Sequence, residues 1–332
     1  MAELRKVHGS DNSFFILDQN KLEQPLSRET LSALAQKVCD RTNGLEGGAD
    51  GVLVIDPATN AAGRMTVVNA DGTFAKMCGN GIRTVTRYLS EESGETGFNI
   101  ETEQATLAVH VDKVLAPGVL TFGTEISPVS FAAADLPFAE LGHDEIIDTV
   151  LPEIHPTFKF TAIAVPNPHL IAFVPEAELS GTAIEEIGKR LNAPNPYFPE
   201  GVNVTFATIE GKHTLFARTY ERGVGFTNAC GTAMSATSLA FVLTHPKDAA
   251  LNELNSVYNP GGMVQTTVHQ EADGRYWIEL IGNATEISRI DIPEASLAAA
   301  NFDGATIHLT GEAEQYAAFV KTLPYRDLVP AV

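Results

Sequence analysis

Cysteine is scarce in this sequence. Its 332 residues hold three: Cys39, Cys78 and Cys230. Three is too few and too odd a number for a disulfide framework. With no CxxC and no paired histidines nearby, the spacing is not that of a metal site, and no metal is expected. Basic residues are also few. Lys and Arg number 22 against 42 Asp and Glu, a formal charge of −20. A chain of that sign is not expected to bind nucleic acid or an anionic membrane, both of which require attraction to phosphate. No run approaches the ~20 apolar residues that span a bilayer. The opening Met1-Ala2-Glu3-Leu4-Arg5-Lys6 lacks the apolar core of a secretory signal. The expected compartment is therefore cytoplasmic. GxGxxG and the βα alternation of a dinucleotide fold are also missing.

What is present is an ordinary globular composition, 44% hydrophobic and 19% charged, at a length that suggests two domains. Leu31, Leu34, Ala35 and Val38 recur at helical spacing after a candidate N-cap, Ser27. Ile184, Ile187 and Leu191 do the same, with Thr182 and Glu185 spaced as a capping box. Two further helices are expected to begin just after Cys78 and Cys230. Ile82, Val85, Thr86 and Leu89 form one face of the first. The second, from Met234 to Leu243, is apolar or small nearly all round and so predicts a buried helix. Strands are expected at Val52-Leu53-Val54-Ile55, and where Leu107, Val109 and Val111, and Val202, Val204 and Phe206, alternate with other residues. The tail predicts a strand from Ala305 to Leu309 and a short helix from Gly311 to Val320. Many short strands and few helices predict an α+β fold with curled or barrel-like sheets around helices.

An internal repeat organises these elements. Met77-Cys78-Gly79-Asn80-Gly81 recurs 152 residues later as Ala229-Cys230-Gly231-Thr232-Ala233. Asn69 precedes Cys78 by nine residues, as Glu221 precedes Cys230, and Asn12 corresponds approximately to Asn167. Two pseudo-symmetric domains are expected. The N-terminal one covers 1–130, completed by C-terminal strands around 280–332, and the C-terminal one covers 131–280. A cysteine at a helix N-terminus sits near the positive end of the helix dipole, which predicts a lowered thiol pKa. The glycine after it lets a ligand approach the backbone, and first-turn N–H groups can hold a carboxylate. Two such sites make a carboxylate clamp with a base on either side, suited to removing and returning a proton at the adjacent carbon. Such a pair shares one proton and requires no cofactor in principle. Cys39, on the face of an ordinary helix, reads instead as a small buried hydrophobe.

At these residues the chain resembles the diaminopimelate epimerase family. The motifs, in order, are His8-Gly9-Ser10-Asp11-Asn12-Ser13-Phe14, Gly48-Ala49-Asp50-Gly51, Asn69-Ala70-Asp71-Gly72, Met77-Cys78-Gly79-Asn80-Gly81, Pro166-Asn167-Pro168-His169, Val202-Asn203-Val204, Tyr220-Glu221-Arg222-Gly223-Val224-Gly225 and Thr227-Asn228-Ala229-Cys230-Gly231-Thr232. They span about residues 4–290. The resemblance implies two domains, each a barrel-like sheet on a central helix, with the active site in the cleft between them and a homodimer as the assembly. It implies a pyridoxal-independent isomerase that interconverts LL- and meso-2,6-diaminopimelate, a small-molecule substrate of lysine and peptidoglycan precursor synthesis. Cys78 and Cys230 are then the acid/base pair, with Cys230 accepting and Cys78 donating in the LL-to-meso direction. Gly79, Asn80, Gly231 and Thr232 cradle the carboxylate. Asn12, Asn69, Asn167, Asn203, Glu221 and Arg222 line the site, and Glu221 and His169, near the reacting groups, join the cysteines as candidate catalytic residues. Such types suit a double zwitterion: Arg222 can meet a carboxylate, Glu221 an ammonium, and asparagines either.

Departures from the usual family pattern fall at Asp11-Asn12-Ser13-Phe14, at Gly225-Phe226-Thr227 and at Ala233, and affect loop shape rather than the cysteines. Proline racemase or hydroxyproline epimerase shares the two-cysteine logic, but tends to carry His where Asn80 stands. A phenazine-biosynthesis-like isomerase lacks the cysteine pair. A non-catalytic binding protein and a redox dithiol protein are the readings from other classes.

Overall fold

A computed structural model of the protein describes residues 1–75, 77–325, 328 and 329. The chain forms two compact units. The first comprises Met1–Thr124 and Ile281–Lys321, the second Glu125–Leu280 with Thr322 and the described residues after it.

The first unit opens with β1 (Ala2–Gly9), β2 (Asn12–Asp18), α1 (Arg28–Val38), β3 (Gly51–Asp56), β4 (Gly63–Asn69), β5 (Phe74–Ala75), α2 (Gly79–Ser93), β6 (Gly97–Glu101) and β7 (Thr106–Val111). After β8 (Thr121–Ile126) come β9 (Thr149–Val150), β10 (Lys159–Ala164), β11 (Pro168–Phe173), α3 (Glu176–Leu179), α4 (Ala183–Asn192), β12 (Asn203–Gly211), β13 (Thr214–Glu221), β14 (Gly225–Phe226), α5 (Gly231–Thr244), β15 (Leu254–Asn259) and β16 (Gly262–Gln270). The chain returns through β17 (Tyr276–Asn283) and completes the first unit with β18 (Thr285–Ile292), α6 (Glu294–Ala298), β19 (Thr306–Leu309) and α7 (Glu312–Val320).

The repeat seen around the cysteines extends to strand topology. In the first unit β1–β2 is antiparallel, β2–β3 parallel, β3–β4 and β4–β5 antiparallel, β4–β6 parallel and β6–β7 antiparallel. In the second, β10–β11, β11–β12, β12–β13, β13–β14, β13–β15 and β15–β16 follow the same senses in the same order. Each unit curls its sheet around one helix. α2 touches β1, β2, β3, β4 and β7, and α5 touches β10, β11, β12, β13, β15 and β16. The expected mixed fold with central helices is the one observed.

Each sheet is covered on both faces, which explains the near-continuous apolar strands. Along β3, Val52 and Val54 join the cluster that includes Leu31, Leu34 and Val38 of α1. Leu53 and Ile55 join the opposite cluster with Ile82, Val85 and Leu89 of α2. β12 forms as expected, and α5 packs on it as well as α3 and α4. Asn203 and Thr205 are consequently buried, and Thr205 shares a 3.0 Å hydroxyl pair with Thr219. α5 is buried from Gly231 to Val242. It accommodates Ser235, Thr237 and Ser238 by donating each hydroxyl to the carbonyl four residues back.

Ser27 caps α1 as expected, its side chain accepting from Thr30 N at 3.2 Å. The capping box at Thr182 does not form. Thr182 is itself in the helical conformation, not the extended one a capping residue needs, and Glu185 pairs with Lys189 at 2.6 Å. The tail forms its strand and helix, but does not belong wholly with the first domain as expected. Val329 is fully buried in the second unit's core, with Tyr325 and Leu328 packed against it.

Beneath the start of α2 lies a fully buried guanidinium, Arg83. It donates to Gly79 O at 2.9 Å, Asn80 Oδ1 at 3.1 Å, and Ser10 Oγ and Asn283 O at 3.4 Å. Gly9 and Gly282 make room for it: a Cβ on either would lie 2.9–3.0 Å from guanidinium or Asn80 backbone atoms. Arg83→Met keeps much of the volume but strands those buried acceptors. It is expected to destabilise the protein by about 3 kcal/mol, measured as a lowered urea midpoint at unchanged slope.

Candidate active site

Cys78 is the N-cap of α2. Its backbone is extended, and its sulfur accepts from Gly81 N at 3.3 Å. On its other side the thiol lies 3.8 Å from Asn12 Oδ1, the acceptor of that contact. The Asn12 amide is held at both ends. Its Nδ2 donates to Asp50 Oδ2 at 2.7 Å, and its Oδ1 accepts from Asn80 Nδ2 at 3.3 Å. Asp50 also takes Ser13 N at 2.8 Å and Arg41 Nη2 at 2.5 Å. The first unit thus brings Asn12, Cys78, Gly79 and Asn80 together.

Asn69 is placed differently. It ends β4 in a turn where its Nδ2 donates to Thr73 Oγ1 at 3.0 Å. Asp50 and Arg83 are missing from the residues singled out in the sequence. Asp50 lies within a quoted motif, but only the fold shows its carboxylate aimed at Asn12. Arg83 is one helical turn beyond Gly79, a spacing that could have flagged it.

In the second unit Cys230 caps α5 from an extended backbone. Only 8% of it is exposed, and its sulfur lies 3.5 Å from Thr232 Oγ1. Burial pushes its thiol well above the usual value, and the Glu221 carboxylate adds to that. Hydrogen bonds from Thr232 and Ala233 N oppose the shift without reversing it. The expectation of a lowered thiol pKa is therefore corrected for Cys230. Loss of water and a neighbouring negative charge outweigh the helix start, and the residue rests as a thiol.

Glu221 ends β13, and its carboxylate accepts from Thr227 Oγ1 at 2.5 Å as well as lying beside Cys230. Asn203 Oδ1 accepts from Arg222 N at 2.8 Å, and the exposed Arg222 guanidinium donates to Glu200 O at 3.0 Å. His169 stands beside Asn203 in the parallel β11–β12 register. It is fully buried, with Nε2 3.2 Å from Asn167 Oδ1 and Nδ1 without a hydrogen-bond partner among the described residues. Burial, with the nearby Arg222 charge, lowers its pKa to about 3. A neutral imidazole with one uncommitted nitrogen suits hydrogen bonding better than proton storage. Cys39 is buried in the α1 core, its thiol pushed up to about 12 by burial and Asp50.

Solved structures share this architecture. A PhzF-family phenazine biosynthesis protein from Bacillus anthracis aligns with a TM-score of 0.62 at 15% identity, covering 88% of this chain and 99% of that one. A probable proline racemase from Agrobacterium radiobacter K84 aligns with a TM-score of 0.57 at 15% identity, over 97% and 100%. The protein thus has the two-unit fold found in racemase-like proteins, here with a Cys-Gly helix start in each unit.

Sequence similarity is more specific. The profile of the family described as diaminopimelate epimerase matches residues 4–123 and 161–286. A diaminopimelate epimerase of Ligilactobacillus salivarius (strain UCC118) is 53% identical over 323 residues, 97% of this chain and 99% of that protein. One from Enterococcus faecalis (strain ATCC 700802 / V583) is 48% identical, over 96% and 98%. The chain belongs to the diaminopimelate epimerase family and is an isomerase. Among the described residues no helix is long and apolar enough to cross a membrane.

The buried neutral His169 has a measurable consequence. Its folded pKa of about 3 lies below the unfolded value of 6.5, so below pH 6.5 the unfolded chain binds the extra proton. Stability is therefore lost as pH falls from about 6.5 towards 3, by up to about 1.4 kcal/mol per unit for one such group. His169→Gln is expected to flatten the dependence of the urea midpoint on pH between 6.5 and 4.5. An unchanged slope would count against a neutral buried imidazole.

Proposed function

We propose that this chain interconverts LL- and meso-2,6-diaminopimelate by a two-base mechanism. The observation that carries this reading is that Cys78 and Cys230 cap corresponding helices of a repeated topology in a member of this family. In the LL-to-meso direction the Cys230 thiolate takes the α-proton. The C–H bond breaks and its electron pair passes into the α-carboxylate as an enolate. Cys78 then gives its S–H proton to the opposite face of the carbon and is left as the thiolate. The reverse direction exchanges these roles. One thiolate and one thiol enter the step and one of each leaves it, so the reading calls for no cofactor.

Cys230 must first release its proton to solvent, which leaves the pair with one proton between them. Burial and Glu221 hold that proton on, and a substrate ammonium paired with Glu221 removes the second of these causes. First-turn backbone N–H groups at Gly79, Asn80, Gly231 and Thr232 hold the carboxylate as enolate charge grows on it, where a helix start is most effective. Asn12, Asn167, Asn203 and Arg222 bind the remaining polar groups of the substrate, with His169 as a neutral hydrogen-bonding partner. Asn69, committed to its turn, enters this reading only through the family motif. Lysine and peptidoglycan precursor synthesis in the cytoplasm, and a homodimeric assembly, complete the proposal.

The test is solvent exchange in deuterium oxide. Reduced enzyme is expected to place one deuterium at an α-carbon of LL-diaminopimelate as meso product forms. Cys78→Ala and Cys230→Ala should each lower turnover by about 10²–10⁴-fold. Exchange into L-proline instead would move the assignment to the racemase branch of the fold. Exchange into neither substrate, from folded and reduced protein, would sink the proposal.

A further inference from the structure

The C-terminal helix α7 lies outside the residues matched by the family profile, yet its contacts lead to the Cys78 half-site. Glu312, its first residue, grips Arg87 of α2 with both carboxylate oxygens, at 2.5 and 2.8 Å. The same carboxylate accepts from Glu286 N at 2.9 Å. One turn further along α7, Tyr316 is buried, with its ring edge-on to His8 at 4.8 Å between centroids. Its phenol is hydrogen-bonded to Ser10. One turn back along α2 from Arg87 is Arg83, which reaches Ser10 and Asn80. α7 is thus fastened at Arg87 and meets, at Ser10, the network beneath Cys78.

Ser10 and Asp11 give that meeting point its importance. They form the two-residue turn between β1 and β2, with φ of 51° and 71°. Two positive φ values suit Asn-Gly, and for Ser-Asp they are costly unless the surroundings hold them. Here Ser10 N donates to Asn283 Oδ1 at 2.7 Å and Asp11 N to His8 Nδ1 at 3.2 Å. Asn12, whose carbonyl faces the Cys78 sulfur, comes next in the chain.

We propose that α7 is a positioning element of the Cys78 half-site: Tyr316, anchored through Glu312, holds the Ser10–Asp11 turn so that Asn12 stays on Cys78. The catalytic consequence rests on the acid/base reading of Cys78 given above, whereas the effect on the thiol's surroundings does not. Neither Tyr316 nor Glu312 is a catalytic residue in this account.

The test uses full-length enzyme and two readouts: steady-state kinetics, and iodoacetamide labelling of each cysteine followed by peptide mass spectrometry. Tyr316→Ala is expected to lower kcat by about 10–100-fold with KM changed by less than about threefold. Cys78 labelling should accelerate while Cys230 labelling stays at the wild-type rate. Tyr316→Phe, which keeps the ring against His8 but loses the phenol's bond to Ser10, should fall between wild type and Tyr316→Ala in both kcat and Cys78 labelling. Glu312→Gln should change Cys78 labelling and kcat in the same direction as Tyr316→Ala, by less. Folded Tyr316→Ala with wild-type kcat and labelling would overturn the proposal, as would labelling that changes equally at both cysteines. Should Tyr316→Ala fail to fold, a wild-type Cys78 labelling rate in Glu312→Gln would overturn it. Full turnover in Cys78→Ala would instead refute the acid/base reading, with the labelling comparison still deciding whether α7 positions the thiol.

Discussion

The Cys78 half-site depends on a charge placed where water cannot reach it. Arg83 is fully buried and holds Gly79 O, Asn80 and Ser10 together. Burial lowers its pKa to about 10, so it remains a cation at neutral pH. A desolvated guanidinium is tolerable only when its donors are satisfied, and its acceptors belong to the elements that frame the site. The strand ending at Gly9, the helix beginning at Gly79 and the return strand at Asn283 are tied through one group. Rotation of any of them away from Arg83 leaves a buried donor or acceptor unpaired, which constrains the backbone around Cys78.

The second unit repeats the topology but not this device. The position matching Arg83 in the repeat is Ser235, whose hydroxyl satisfies Gly231 O at 3.0 Å just as Arg83 satisfies Gly79 O. The position matching Asn69 is Glu221, which lies beside Cys230. One half therefore carries a positive charge beneath its helix start and a neutral amide at the strand end. The other carries a neutral hydroxyl and a carboxylate. The two thiols on duplicated scaffolds thus have different charged neighbours. On the two-base reading proposed above, this divergence lets two similar sulfurs be addressed individually.

Much of this was legible in the sequence, for reasons that can be stated. The central helices were readable because α2 has a clean apolar face and α5 is apolar or small throughout. The duplication was readable because Cys-Gly at a helix start is a strong local signal. The strand at β12 was legible in the alternation of Val202, Val204 and Phe206, whereas the burial of Asn203 and Thr205 between them was not, because burial of polar side chains is a tertiary fact. Thr182 and Glu185 have capping-box spacing, but spacing does not set the φ and ψ of the first residue. The thiol of Cys230 was misjudged because a helix dipole can be inferred from local sequence, whereas a desolvated pocket with a carboxylate cannot. Asp50 lies 38 residues from the Asn12 amide it orients, and no periodicity reveals such a pairing.

Several features unfavourable to stability lie around the two cysteines. Ser10 and Asp11 hold positive φ, Arg83 and His169 are fully buried, and the Cys230 thiol shares its surroundings with a carboxylate. Each is a local conflict that the large two-sided cores of both units can offset. On the two-base reading proposed above, proton transfer at a weakly acidic carbon calls for such a placement. Fixed donors stabilise a growing charge only if they need not reorganise when it appears, and fixing them requires partners that are themselves immobile. The chain obtains that immobility from groups that fold at a cost: a guanidinium enclosed by glycines, a strained turn braced by its neighbours and an imidazole kept neutral by burial.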